Sequence, residues 1–468
     1  MKKIIYSLLT IISFILSFSF IINLKQANLF PFKIIIIITI VLIILNVIAL
    51  IGYFLKNKCF KILSTVLFLL IIVITITFSS NIKKTNTILN NAFEKTKEEI
   101  TIYNIIVKNN TYQSLNELDN KKISYLNTYD ITNIKTKLSN LYNYQLIPVD
   151  NLYSLYENLL SEESDVIIID DAHLSILYDE YPESKNNMQV LTSFNITEKV
   201  AIPVKEATNL EPINIYISGS DSRENDIQAK SRSDVNILLT INPLTNKILI
   251  TSIPRDYYVQ IHNQKGLKDK LTHCGIYGME TSVKTLEDLF DIKIAYNLKV
   301  NFNSVIKIVD LIDGIDINSD KAFSSNVLKN FYIQEGVNHF NGNQALAYLR
   351  ERYAYKEGDR HRIQNQQQVL KAIINKMLSD KKYLFDYEKI LDILSDSYIT
   401  DIPPSLIKTY IRKQLKEMPT WSFDLIWVNG QNASMPTFTS PKIRRYVMIP
   451  FDEDIKNAHD KIISTLNT

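Results

Sequence analysis

Three stretches at the start of the chain are apolar almost without interruption: residues 4–24, 34–55 and 62–78 contain no charged side chain. A helix needs about 20 such residues to cross a bilayer, so each reads as a transmembrane span, the third being the shortest. Lys2 and Lys3 precede the first stretch, and Lys56, Lys58 and Lys61 crowd the connection between the second and third. The positive-inside rule then puts the N-terminus and that connection in the cytoplasm and everything after residue 78 outside. Lys83 and Lys84 run mildly against this. A cleaved signal peptide is disfavoured, because no A-x-A-like site follows the first stretch and two more spans come next.

Beyond the spans the pattern alternates. Residues 85–99 read as a polar helix. Short apolar runs at 101–107 and 122–126 predict strands, and helical spacing covers 131–144 and 149–160. The run SDVIIIDD at 164–171 predicts a buried strand ending in acids. Asp170 and Asp171 fit the cap of a helix from about Ala172 better than a metal site. From Glu211 the strands strengthen: 213–218, 235–241 and 247–253, with the turn NPLTN at 242–246 making the last two a hairpin. Helices are expected at 279–290, 305–312, 345–352 and 363–378, a strand near 295–300, and further short strands in 401–468. The expected fold class is α/β. Three transmembrane helices (1–81) precede a small α/β accessory domain (82–210), and an α/β/α domain with a mixed central sheet (211–468) follows.

Length and charge change the picture only by exclusion. The 468 residues suffice for two or three domains. A net charge of +3, with no RNP, zinc-finger or helix-turn-helix pattern, argues against a nucleic-acid partner. Cys59 and Cys274 fall on opposite sides of the membrane in this topology, so the outer part folds without a disulfide. The six histidines form no H-x-x-x-H, and neither a P-loop nor a G-x-S-x-G elbow is present.

Arginine usage is more informative. All ten arginines lie between Arg223 and Arg445, whereas lysine supplies the charge elsewhere. Four of them, Arg350, Arg352, Arg360 and Arg362, fall in LRERYAYKEGDRHRIQNQQQ at 349–368. Arginine's planar fork holds phosphate oxygens two at a time, so this density predicts a polyanion cradle. A salt-bridged helix end using Glu351, Glu357 and Asp359 is the plainer alternative. Arg362 and Gln366 share a helix face, whereas Arg350 and Arg352 require a helix end or bend to point together. Three further clusters sit at strand ends: Asp221 and Arg223 after the first strand, Arg232 and Asp234 before the second, Arg255 and Asp256 after the third. Each joins an arginine to a carboxylate, a mixture suited to a diphosphate bound through a divalent cation held by Asp221 and Asp234.

These residues resemble the LytR-CpsA-Psr (LCP) family of Gram-positive cell envelopes. The matching segments are GSDSR at 219–223, RSDVNILLTINPLTNKILITSIPRD at 232–256, KLTHCGIYG at 270–278, VNFNSVIKIVDLIDGIDI at 300–317 and LRERYAYKEGDRHRIQNQQQV at 349–369. The three-span anchor and intervening module are similar to the family's capsule-associated branch. The resemblance implies a membrane-bound, extracytoplasmic phosphotransferase. Such an enzyme moves a teichoic acid, capsular polysaccharide or similar glycopolymer from polyprenyl pyrophosphate to peptidoglycan, releasing polyprenyl phosphate, with Mg2+ or Mn2+. By motif, Asp221 and Asp234 would hold the metal, and Arg232, Arg255, Arg350, Arg352, Arg362 and Gln366 would contact the pyrophosphate. Asp221, Asp234, Arg255 and Arg362 carry the catalytic assignment, and either Asp221 or Asp256 accepts the proton of the acceptor hydroxyl. Arg223 and Arg360 would be supporting residues. The family's lipid tunnel would be walled by Ile276, Leu286, Leu289, Val305, Ile308, Val309, Ile312, Val369 and Ile373. A polyprenyl-phosphate-binding regulator or sensor, and a lipid-pyrophosphate hydrolase, are the competing functions. The 82–210 module is a candidate surface for envelope-biosynthesis partners or, equally, for a dimer interface.

Overall fold

In a computed structural model the described residues are 2–27, 32–92, 96–139, 143–201, 209–220, 227–355 and 358–467. Helices α1 (Lys2–Ala27), α2 (Phe32–Phe54) and α3 (Lys58–Ala92) hold the three expected spans. Each is long and apolar enough to cross a membrane. Their mutual contact includes a buried polar knot: Ser13 Oγ donates to Asn46 Oδ1 at 2.7 Å, and Asn46 Nδ2 donates to Ser17 Oγ at 3.2 Å. Such bonds join helices where no water competes.

The expected polar helix at 85–99 is corrected: α3 continues to Ala92, but strand β1 (Thr96–Lys108) already begins at Thr96. The cause is a distant partner. Thr96 of β1 faces Ala201 of a long strand (Met188–Ala201) that local pattern did not reveal. Strand β2 (Lys122–Leu126) follows, then α4 (Ile131–Lys137), which stops well short of the expected residue 144 because strand β3 (Gln145–Val149) comes next. Pro148 lies in β3 without breaking the sheet because β3 is an edge strand. Helix α5 (Leu152–Leu160) starts after Asn151, whose side chain caps Ser154 N. Val149 is therefore strand, where helix was expected. Strand β4 (Val166–Asp170), helix α6 (Asp171–Glu180) and strand β5 (Met188–Ala201) complete a sheet of order β3-β2-β4-β1-β5. Asp170 caps α6 and pairs with His173 Nδ1 at 2.6 Å, which accounts for the acids there as helix-start residues.

The larger sheet grows from β6 (Ile213–Ser220), β7 (Val235–Asn242) and β8 (Lys247–Ile253), the last two forming the expected hairpin. Helix α7 (Met279–Phe290) leads to β9 (Tyr296–Asn301), which lies parallel to β6. Helix α8 (Phe302–Leu311), the paired strands β10 (Ile315–Ser319) and β11 (Gly336–Phe340), and α9 (Gly342–Arg350) come next. Asn301 and Asn341 start α8 and α9 with capping boxes. Gly342 is required by closeness: a Cβ there would lie 2.3 Å from the Ile306 carbonyl oxygen. Then follow α10 (Asp359–Ser379), α11 (Tyr387–Ile393), β12 (Tyr398–Thr400) and α12 (Pro404–Glu417). Strand β13 (Ser422–Trp427), the hairpin β14 (Gly430–Pro436) and β15 (Arg444–Pro450), and α13 (Asp452–Asn467) end the described chain. Helix α11 packs on α3.

The six-stranded sheet has the order β12-β9-β6-β7-β8-β13 and mixes parallel with antiparallel pairs. Alternation assigns its faces. Tyr216, Leu238 and Leu249 point to a core closed by Leu286 and Phe290 of α7 and Ala458 and Ile462 of α13. Ile215, Ile217, Ile237, Leu239, Ile248 and Ile250 point the other way, under Leu370 and Ile374 of α10 and Leu406 of α12. Helices on both faces of a mixed sheet match the expected fold class. Both cysteines are free thiols, Cys59 exposed and Cys274 buried.

Candidate active site

The site lies where β6, β7 and β8 end. Four segments are stitched there by backbone hydrogen bonds. Asp234 N donates to Gly219 O at 2.9 Å, Ser233 N to Thr272 O at 2.9 Å, and Thr272 N to Arg255 O at 2.8 Å. Gly275 permits this crowding, since a Cβ would fall 2.4 Å from the Ser231 carbonyl oxygen. Two of the expected site residues meet directly: Arg255 Nη1 donates to Asp234 Oδ1 at 2.8 Å, joined by Thr272 Oγ1 at 3.4 Å. Asp256 Oδ2 lies 3.6 Å from Arg255 Nε. Asp234 is 8% exposed, so its charge sits at a rim, neither sealed nor fully solvated. Asp221 and Arg223 lie outside the described residues.

Beneath this rim lies a polar network that sequence reasoning missed. Ser233 Oγ is 2.7 Å from Ser218 Oγ and 2.9 Å from the Tyr216 hydroxyl, which donates to Asn236 Oδ1 at 2.7 Å. Burial pushes the Tyr216 hydroxyl up to about 12, so it stays a donor. The network fixes the chain on both sides of Asp234. The signal available in the sequence was a serine and an asparagine interrupting otherwise apolar strands.

The arginine-rich stretch straddles a helix end and a helix start. Arg350 is the last residue of α9, its guanidinium 5.0 Å above the Phe302 ring, and Arg352 follows in the loop. That loop is organised by Glu351, whose buried carboxylate accepts from the backbone N–H groups of Arg352, Tyr353 and Asn326 at 3.1, 3.0 and 2.7 Å. Burial alone would raise the Glu351 carboxyl, but these donors outweigh it and hold it below the ordinary glutamate range. Glu351→Gln should therefore cost about 1–3 kcal/mol at neutral pH. A depressed folded value means the contribution is present above the unfolded value and lost as pH falls through the folded one. The difference in melting temperature between wild type and variant should shrink below about pH 4.

Helix α10 runs antiparallel to β8 and β13. Gln367 Nε2 reaches the carbonyls of Ile250 and Ile426 at 3.3 and 2.6 Å, while the Leu378 carbonyl, nearer the helix end, meets Gln414, which holds Trp421 just before β13. The N-terminal turns of α10 consequently project past the ends of β8 and β13, toward Arg255. Arg362 and Gln366 are both buried there, one turn apart. Arg360 Nη2 contacts the Gly430 carbonyl at 3.5 Å. Arg232 is turned toward Asp179 at the end of α6, with which it pairs.

The nine apolar residues named for a tunnel do not converge. Val305, Ile308, Val309, Ile312, Val369 and Ile373 share one cluster under α8, α9 and α10, and Phe302, below Arg350, packs against it. Ile276 belongs instead to a cluster with Leu152 and Tyr156 of α5, and Leu286 and Leu289 pack on the Tyr216 face of the sheet. Spacing along a helix placed each residue inside, but not in which interior.

A family model described as the LytR_cpsA_psr family matches residues 178–440, beginning in the last turn of α6. The chain is similar to proteins named polyisoprenyl-teichoic acid–peptidoglycan teichoic acid transferase TagU. That of Bacillus mycoides is 35% identical over 193 residues, 41% of this chain and 61% of that protein. That of Bacillus subtilis is 39% identical over 167 residues, 36% of this chain and 52% of that protein. The chain thus spans about six-tenths or less of the length of these relatives. Among solved structures, B. subtilis TagV gives a TM-score of 0.45 at 24% identity, over 55% of this chain and 98% of that one. B. subtilis TagU gives 0.43 at 26%, over 55% and 98%. With its segments at 219–369 in the expected order and a family match over more than half its length, the chain belongs to the LytR_cpsA_psr family.

Proposed function

We propose that the chain is a membrane-anchored phosphotransferase joining a polyprenyl-diphosphate-linked glycopolymer, of teichoic acid or capsular type, to peptidoglycan on the extracytoplasmic face. The observation that carries this is the rim where Asp234 holds Arg255, toward which the start of α10, with the buried Arg362 and Gln366, projects. Charge-assisted donors gathered at the ends of neighbouring strands and a helix suit a diphosphate. The apolar cluster beside Arg350 offers a place for the prenyl tail. The names carried by the TagU relatives support the same reading.

In the proposed reaction an acceptor hydroxyl oxygen bonds to the phosphorus attached to the glycan. The bond from that phosphorus to the bridging oxygen breaks, and polyprenyl phosphate leaves with the oxygen and its electron pair. The acceptor's proton passes to a carboxylate, Asp256 or Asp221. Arg255 and Arg362 hold the nonbridging oxygens in line, with Arg232, Arg350, Arg352 and Gln366 completing the grip, and stabilise the charge that develops. A magnesium ion suits this donor set: Asp234 offers a hard carboxylate whose described bonds both fall on Oδ1. Such an ion keeps phosphate and water ligands and needs few from the protein. Asp234, with Asp221, would hold it, and when bound it neutralises charge on the diphosphate.

The test incubates the full chain in nanodiscs with Mg2+, a polyprenyl-diphosphate-linked glycan and peptidoglycan fragments. Product mass is followed by mass spectrometry, with Arg255→Ala as control. The expected result is a glycan-phosphate-peptidoglycan adduct in wild type, reduced at least 100-fold in the control. Free phosphorylated glycan alone would identify a hydrolase, and lipid binding with no product would identify a sensor.

A further inference from the structure

Three consecutive residues at the end of α6 reach from the 96–201 module to segments beside the site, at Arg232, Lys270 and 440–445. Glu180 is buried, with Lys270 Nζ at 3.2 Å from one carboxylate oxygen and Arg445 Nε on the other. The Arg445 guanidinium lies 4.7 Å above the Tyr181 ring, and the Tyr181 hydroxyl is 3.3 Å from Ser440 Oγ. A buried carboxylate between two cations is strongly held, because moving it would strand the charges on both sides. The last turn of α6 is therefore fixed in place. Asp179, one residue earlier, is thereby presented to Arg232, whose Nη1 donates to its carboxylate.

We infer that Asp179 is a built-in competitor for the diphosphate at Arg232, so that the 96–201 module sets the affinity of the site for its phosphorylated substrate. This rests on the reading of Arg232 as a diphosphate contact. A carboxylate on the guanidinium cancels the charge that attracts a diphosphate, and it is itself an anion at the edge of an anion site. Both effects oppose binding. The pair is also easily broken: the Asp179 side chain is 57% exposed and that of Arg232 is 22% exposed, and ion pairs so open to water shift an equilibrium by at most about fivefold. A ligand with several negative oxygens displaces such a carboxylate. Asp179 thus weakens binding by a modest, defined factor without closing the site.

The test measures binding of geranylgeranyl diphosphate to the full chain in nanodiscs, with Mg2+ at 0.15 M salt, about physiological ionic strength. Wild type, Asp179→Asn, Arg232→Ala and the double variant are compared, with melting temperature confirming the fold. Asp179→Asn should bind two- to fivefold tighter, Arg232→Ala weaker, and the double variant like Arg232→Ala alone. Asp179→Ser should behave as Asp179→Asn does. If Arg232→Ala weakens binding but neither Asp179 variant tightens it, the competition is overturned while Arg232 keeps its place in the site. If Arg232→Ala binds as wild type does, the placement of Arg232 fails and this inference with it.

Discussion

Asp234→Asn should leave the fold intact and lower glycopolymer transfer by at least 100-fold. Asparagine matches aspartate in shape, and Asp234 N keeps its bond to the Gly219 carbonyl, so the start of β7 does not move. The charge is lost. Arg255 Nη1 and Thr272 Oγ1, which both donate to Asp234 Oδ1, then face an amide oxygen that still accepts but carries no net charge. A guanidinium held less firmly on this side shifts, and misplacement by about 1 Å costs roughly 100-fold in a reaction that depends on alignment. A cation bound at the rim would lose its hard anionic ligand as well. Transfer should be read by product mass, and geranylgeranyl diphosphate binding measured in parallel. Turnover at the wild-type rate would remove Asp234 from the chemistry. Loss of turnover with binding retained would show that the carboxylate serves the transfer step and not simply capture of the lipid.

Asp269→Ala should destabilise the protein by about 3–5 kcal/mol, because it strands several buried donors, each costing about 1–3 kcal/mol when left unpaired. Asp269 is fully buried. Its Oδ1 is 2.8 Å from His273 Nδ1 and accepts from Lys270 N at 2.7 Å, while Oδ2 accepts from Thr439 N at 3.0 Å. These bonds tie the segment carrying Thr272 and Gly275 to the loop at 437–440. Burial pushes the Asp269 carboxyl up, but His273 and the backbone donors more than offset this and leave it below the usual aspartate range. The lowered folded value makes its contribution complete above the unfolded value and lost as pH falls through the folded one. Asp170 follows the same rule, held down by His173 against its burial. Thermal melts of wild type should therefore fall steeply below about pH 4, and those of Asp269→Asn less steeply. Equal acid slopes would show that this carboxylate carries no linked stability.

Local pattern served the centre of the large sheet well because β6, β7 and β8 pair with neighbours in sequence. The apolar runs at 213–218, 235–241 and 247–253 and the NPLTN turn state the hairpin and the burial of both faces outright. Pattern failed where the partner is remote. Thr96 belongs to a strand only because Ala201 lies beside it. The site was legible as residue types at strand ends, since Arg255 and Asp234 are chemically conspicuous and do meet. The hydroxyls of Tyr216 and Ser233 were not, because their role depends on a strand and the loop before its neighbour coming together. Neither was Asp179, whose relevance comes from a helix end delivered by another sheet.

Helix α3 does not stop where its apolar stretch ends at Ser80; it continues unbroken through residue 92. At 1.5 Å per residue the added turns rise roughly 18 Å. Helix α11 rests against α3, and it belongs to the same body as the arginine-bearing helices. The anchor is thus a strut and not a tether. The domain that bears the arginines is carried at a set distance from the membrane-crossing stretch, and the bilayer plane becomes the datum from which its reach is measured.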